Sequence, residues 1–438
     1  VIFLVIASFF IFRKYLFNEN KHQKIENVAP KNIRDYTPYL IYFLFWGLSF
    51  YILYISRSDR AIISPWQVIK PSFFVFYIIS SLILIFILYK NKLSNTAKLI
   101  ALSFHYFLSL GIASVVYKIG YGFDPFIHQA TMELIDKKGL VTPKPLYYLG
   151  EYGIIVVLHK ISGLSIYLLN KFLVPLMAAI FLPVTAYRLT SQYGSKPSRW
   201  LTPIFILILS FSPFIASTPQ NLSYLFLILT IFFGLTKNNL LWPLVLSLAT
   251  LAIHPLTGIP AFCWVLILAL YKNSGKIKSS FYRIGKIILF LISSLTLPIA
   301  LFISGGNDFK KISWDFNLII APLKNLFSSL NTAGQENWLL NFIYFFSYNY
   351  NFYLIAIIVF SLIFFYKQKE NRNFRSLVFI NIALSIAYLI SSQIIFTDLI
   401  NYEQSNFASR PLTLITIFFL PFITLELQKF IDLVLSKD

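Results

Sequence analysis

The sequence predicts an all-α fold: a polytopic transmembrane helix bundle of about 13 spans whose first long external loop carries a short helix. Three observations predict it. Hydrophobic residues make up 57% of the 438 and charged residues only 12%, which excludes an ordinary water-soluble domain. Apolar runs of roughly 15 to 20 residues recur from end to end, each near the length a helix needs to cross about 30 Å of hydrocarbon. The runs do not alternate apolar with polar residues, as barrel strands would, so helices are the spanning element.

Taken in order, the predicted spans fall at roughly 1–12, 39–55, 73–89, 99–116, 168–187, 200–214, 221–236, 240–253, 257–271, 287–303, 345–366, 377–396 and 412–428. Val1 stands inside an apolar stretch with neither Met nor a signal peptide, so the first span is expected to be incomplete. Loops 117–167 and 304–344 are the long ones. The two pieces within 240–271 flank His254, Pro255, Leu256, Thr257 and Gly258. Each is about 14 to 16 residues, or roughly 21 to 24 Å as helix, short for a full crossing. The turn between them is therefore expected to sit below the outer surface.

The formal charge of +20 reports topology. About 24 of the 37 basic residues fall in alternate loops, including Arg13, Lys14, Lys21, Lys24, Lys31 and Arg34 in one. That side is expected to be cytoplasmic, which puts loop 117–167 outside and argues against nucleic acid as a partner. The single cysteine, Cys263, excludes an internal disulfide and a cysteine metal site.

The segment Tyr121 to Tyr148 holds the best-organised reactive side chains. Asp124 is a good helix N-cap, Pro125 fits the first helical position, Lys137 and Lys138 suit the negative C-terminal end, and Gly139 ends the helix. A carboxylate fixed at a helix start beside an apolar interface is also how a general base is positioned, so Asp124 is the first catalytic candidate against a purely structural capping role. At 100° per residue His128 lies about 40° from Asp124 and Thr131 about 20°, while Glu133 points roughly the opposite way. His128 is the second catalytic candidate. The Asp124/His128 pair also leaves a divalent metal open as the only cofactor in view, on just two ligands.

Substrate-binding candidates follow. Arg410 precedes the last span on the side where basic residues are disfavoured, either as a snorkelling residue paired with Glu403 or as a two-point grip on phosphate. Lys144 offers a phosphate contact, and Tyr147 and Tyr148 offer aromatic contacts to sugar or headgroup, with the interfacial aromatic belt as the competing explanation. His254 is a substrate-binding candidate whose ordinary reading is a helix-boundary residue before proline. Glu151 to Ile166 is expected to be an amphipathic helix at the outer interface.

The order of a span entering from the cytoplasm, Gly-Phe-Asp124-Pro with His four residues on, a short helix closing at Gly139, a Pro/Tyr strip and then LGEYGIIVVLHKISGLSIYLLNKFLVPLMA resembles the GT-C superfamily of multi-spanning membrane glycosyltransferases. The resemblance covers roughly residues 99–236. It implies that 99–438 is a transmembrane catalytic domain preceded by extra helices in 1–98, and that the donor is a polyprenyl-phosphate-linked sugar. It further implies Asp124 as catalytic carboxylate, Arg410 as a contact for the lipid phosphate, and a site on the extracytoplasmic face of the plasma membrane, serving cell-envelope glycosylation. The acceptor is lipid, glycan or protein. Three spans precede the loop-bearing span where many relatives begin with it, and the paired acidic motif of metal-dependent members is missing. The rivals are a lipid-linked glycan polymerase or ligase, which would use more external arginines, and a transporter or lipid flippase, which would place ionisable groups at mid-membrane.

Overall fold

The computed structural model describes residues 36–90, 93–139, 148–193, 196–208, 212–236, 239–305, 312–314, 371–396 and 401–436, with single residues 345, 349, 359 and 363. The predicted span 1–12, all but those four residues of 345–366 and nearly all of loop 304–344 lie outside the described residues. The regular elements among the described residues are helices, apart from an antiparallel pairing of β1 (Ile312–Trp314) with β2 (Ile394–Phe396) and a single parallel bridge between Ser58 and Tyr117. Seven of the described helices are long and apolar enough to cross a membrane. The described residues fall into two compact units, one within Val1–Pro143, Tyr148–Leu225 and Leu427–Asp438, the other within Lys144–Tyr147 and Phe226–Glu426.

The first unit begins with α1 (Thr37–Ile55) and α2 (Ser72–Lys90), packed together. Both are apolar all round and bury little: 22% and 28% of their most apolar windows. Leu40, Leu44, Val75, Ile78, Leu82 and Phe86 face outward. In water such a surface would aggregate, so it is a surface for lipid tails. Their inner faces meet α3 (Asn95–Leu110), capped by Ser94. Tyr42 Oη donates to Ala101 O at 2.9 Å and Trp46 Nε1 to Phe104 O at 2.8 Å, so both polar tips are satisfied inside an apolar cluster with Leu84, Leu88 and Trp200.

The predicted span 99–116 is divided at Gly111, where α3 ends, and a short α4 (Ile112–Val116) follows. A Cβ on Gly111 would stand 2.7 Å from the Phe107 carbonyl oxygen, so the break needs glycine. After α5 (Asp124–Lys138) and α6 (Leu149–Ser162) comes α7 (Ile166–Thr190), whose start Ser165 caps through Leu168 N. The predicted span 200–214 is not one helix: α8 (Lys196–Phe205) gives way after Pro203 to 3-10 turns at Ile206–Ile208 and Ser212–Ile215. Proline removes the helical donor that would have continued the ladder. α9 (Pro219–Thr236) carries the chain across the boundary between the units.

In the second unit α10 (Leu241–Ile253) and α11 (Pro255–Lys272) form a tight hairpin. Its turn is the HPLTG segment: His254 ends one helix and starts the next, with φ −153° and ψ 110°, and its carbonyl accepts from Gly258 N at 2.9 Å. A Cβ on Gly258 would fall 2.1 Å from Leu251 Cα, so the two backbones touch there. Gly258→Ala is expected to destabilise the protein by about 1–3 kcal/mol, read as a lower thermal midpoint in detergent, because backbone cannot rotate away as a side chain can. The predicted span 287–303 is also divided: α12 (Ser279–Ser294) starts earlier, and α13 (Thr296–Gly305) follows Leu295. α14 (Arg372–Ser391) leads to β2, and α15 (Asn401–Leu435) closes the chain and crosses back at Glu426–Leu427. Trp264, fully buried, donates from Nε1 to Ser376 Oγ at 3.1 Å, joining α11 to α14.

Candidate functional site

α5 forms where the sequence predicts it, with two adjustments at its start. Asp124 is the first helical residue and Pro125 the second; the N-cap is Phe123, which makes no side-chain cap bond. Asp124 is therefore not a capping residue. Its side chain is exposed, and it makes no hydrogen bond or ion pair with another described residue. The far end follows expectation: Lys137 and Lys138 occupy the last turn and Gly139 adopts φ +69°.

His128, one turn on, is close enough to Asp124 to feel its charge. Burial dominates nonetheless and pushes the imidazole down to about 4 from its ordinary 6.5, against the opposing pull of the Asp124 carboxylate. The ring is uncharged at neutral pH. Its Nδ1 lies 2.8 Å from Tyr152 Oη on α6. Burial raises the Tyr152 phenol well above its usual range, so the hydroxyl stays protonated and holds the ring in place. The folded state binds fewer protons at His128 than the unfolded chain does between pH 6.5 and about 4, so this group lowers stability as pH falls through that window. Tyr152→Phe is expected to cost about 1 kcal/mol, read as a drop in thermal midpoint, since it strips His128 of this partner.

Tyr148 completes the cluster. Its φ of +66° is the one positive value at a non-glycine position among the described residues, a conformation costing roughly 1–2 kcal/mol. That backbone sets its ring edge-on to His128, centroids 5.1 Å apart, and near Tyr152 at 6.1 Å. The aromatic candidate Tyr148 and the catalytic candidates Asp124 and His128 thus share one end of α5. Glu133 lies apart, accepting from Gln129 Nε2 at 2.8 Å. Farther along, Lys160 Nζ meets Asp136 Oδ1 at 2.5 Å and ties α6 to α5; the hydrogen bond from Lys160 holds the Asp136 carboxyl below its usual range.

The residue that sequence reasoning passed over is Glu151. It was expected on an amphipathic interfacial helix, whereas the structure buries it completely, next to Tyr152, with no hydrogen-bond partner for either carboxyl oxygen among the described residues. Burial pushes it up to about 8 from 4.5, so it is mainly protonated at neutral pH. The signal was one acid in an otherwise apolar turn, EYGIIVVL, with Ile154 and Ile155 on the same face.

Lys144 and Tyr147 lie outside the described residues. His254, buried at 1% exposure, belongs to the second unit and its helix-linking turn. Arg410 was expected in a loop; it lies instead inside α15, which runs through Pro411. Its side chain is half-buried and also belongs to the second unit, and the Glu403 side chain is outside the described residues. For the divalent metal that Asp124 and His128 leave open, no group of three or more His, Cys, Asp or Glu side chains able to hold an ion occurs among the described residues. Asp124 and His128 are two ligands, fewer than a metal centre needs by itself. No protein-family model, curated protein or solved structure matches the chain significantly.

Proposed function

We propose that this polytopic helical protein is a GT-C-type membrane glycosyltransferase that moves a sugar from a polyprenyl-phosphate donor to an acceptor hydroxyl at the extracytoplasmic face of the plasma membrane. The observation that carries the reading is an exposed carboxylate, free of a capping duty, in the first turn of a short helix beside a neutral, buffered-in-place histidine. In this reading Asp124 takes the acceptor's hydroxyl proton as the acceptor oxygen bonds to the anomeric carbon. The bond from that carbon to the donor phosphate breaks, and its electron pair leaves with the phosphate. Attack from the side opposite the departing group inverts the anomeric centre. His128 acts as a positioning residue: uncharged at neutral pH, it leaves the Asp124 carboxylate un-neutralised. The lipid-facing surfaces of α1 and α2 support a substrate delivered through the bilayer.

The test is direct. The purified full chain, given a radiolabelled polyprenyl-monophosphate sugar and a lipid extract as acceptor, is expected to yield labelled product together with free prenyl phosphate. Counterflow of the donor in proteoliposomes with no covalent transfer would overturn the proposal in favour of a carrier.

A further inference from the structure

Within the second unit, the end of α11 and the starts of α12 and α14 meet, since the three helices pack on one another and the rings of Tyr271 and Tyr282 stand 6.2 Å apart across the α11–α12 turn. This junction is basic. Lys276 and Lys278 stand in the turn, Arg283 and Lys286 in the first two turns of α12, and Arg372 and Arg375 in the first turn of α14. The sequence has no Asp or Glu from residue 152 to residue 307. No carboxylate among the described residues pairs with Lys276, Lys278, Arg283 or Lys286.

Charge that only sets topology sits in water beyond the helix ends. Lys286 does not. Seven residues past Ser279, it lies about 10 Å along the axis of α12 from the start of that helix. Its ammonium is held among three rings, Tyr271 at 5.2 Å and Tyr282 and Phe379 at 5.3 Å each. Aromatic faces attract a cation but carry no net charge, so Lys286 keeps its positive charge at the junction. Arg375, one turn before Phe379, is close enough to Tyr271 to act on it electrostatically and adds to the same field.

The neighbouring face of α12 is apolar. At 100° per residue Phe281, Ile284, Ile287, Ile288 and Leu291 fall within about 120° of one another, and all five are exposed. Arg283 borders this stripe about 40° from Ile287, and Lys286 lies about 60° farther round, toward α11 and α14. Because α12 begins at Ser279 and not near residue 287, the cations and the stripe share one continuous helix. A cationic end followed by an apolar stripe complements a phospholipid, phosphate to cations and acyl chain to stripe.

We infer that this junction of α11, α12 and α14 binds an anionic phospholipid, its headgroup among Arg283, Lys286 and the lysines of the turn, and an acyl chain along the stripe from Phe281 to Leu291. Nucleic acid would match the charge but has nothing to lay on the stripe. Net headgroup charge decides the choice of lipid, because phosphatidylcholine presents the same phosphate with a cation of its own beside it. The inference rests on membrane embedding and is independent of glycosyl transfer.

The experiment follows the thermal midpoint of the purified full chain in neutral detergent as lipids of one acyl composition are titrated in. Phosphatidylglycerol, phosphatidic acid and phosphatidylserine are each expected to bind roughly ten-fold or more tightly than phosphatidylcholine, since each cation near an anionic headgroup contributes about five-fold. A triple variant carrying Lys276→Gln, Lys278→Gln and Arg283→Gln is expected to fold, because all three side chains are exposed, and to lose most of that preference. A control carrying Lys137→Gln and Lys138→Gln, which removes two cations at the end of α5, should keep it. Lys286→Met should weaken it too; if that protein fails to fold, the triple variant decides. The inference is overturned if the wild type does not distinguish the anionic lipids from phosphatidylcholine, if the folded triple variant still does, or if the control loses the preference as fully. Competition by glycerol 3-phosphate or by a short RNA as strong as that of the lipid would also overturn it, because charge alone would then account for binding.

Discussion

Asp124→Asn is expected to lower sugar transfer by roughly 10²- to 10⁴-fold, the span over which a positioned general base contributes. Expression and thermal midpoint should stay near wild type. The reason lies in the local structure: the carboxylate is exposed, does not cap α5, and forms no bond to another described residue that the amide would break. A capping Asp would behave differently, since losing the cap costs about 0.5–2 kcal/mol of stability. Stability and activity therefore separate the two roles. A folded Asp124→Asn protein with unchanged transfer would remove Asp124 from the chemistry, and a destabilised one with unchanged transfer per folded molecule would return it to structure.

Much of α5 was legible because local physics decides it. The Lys137, Lys138 and Gly139 ending needs no tertiary partner, and neither does Pro125 near the start. The unbroken apolar runs were misleading for the opposite reason. Composition alone reads 99–116, 200–214 and 287–303 as single spans, yet they bend or divide at Gly111, after Pro203 and at Leu295. Breaks inside a run are set by what the helix meets, as with Tyr106 Oη taking the Pro203 carbonyl. Arg410 shows the converse. The last span was expected to begin after it, but α15 already contains it and continues through Pro411, as helices in apolar surroundings do when neighbours supply the missing contacts. The association of His128 with Tyr152 and Tyr148 could not be read from spacing, because it is made between α5 and the start of α6 across a chain segment of no regular pattern.

Glu151→Gln is expected to change how stability responds to pH more than any other single substitution in the first unit. The folded state holds the Glu151 proton up to about pH 8, the unfolded chain only up to its ordinary 4.5. Between those values the folded protein binds more protons than the unfolded one, so the contribution is fully present below pH 4.5 and is lost as pH rises toward 8. At pH 7 the loss amounts to roughly 3 kcal/mol, taking 1.36 kcal/mol for each pH unit above the unfolded value. Glutamine cannot ionise, so the variant should match wild type near pH 4.5 and become progressively more stable above it, as thermal midpoints in detergent across pH 4.5 to 8 would record. Parallel curves for the two proteins would mean that Glu151 is solvated or paired. The same ionisation reaches the candidate site: a charge forming in the packed face of α6, adjacent to Tyr152, works against the contact that holds His128. Transfer by the wild type should then fall above pH 8 while Glu151→Gln retains it, whereas between pH 6.5 and 4.5 the variant should lose stability through His128 and the wild type should hold roughly level, because its Glu151 contribution grows as that of His128 is lost.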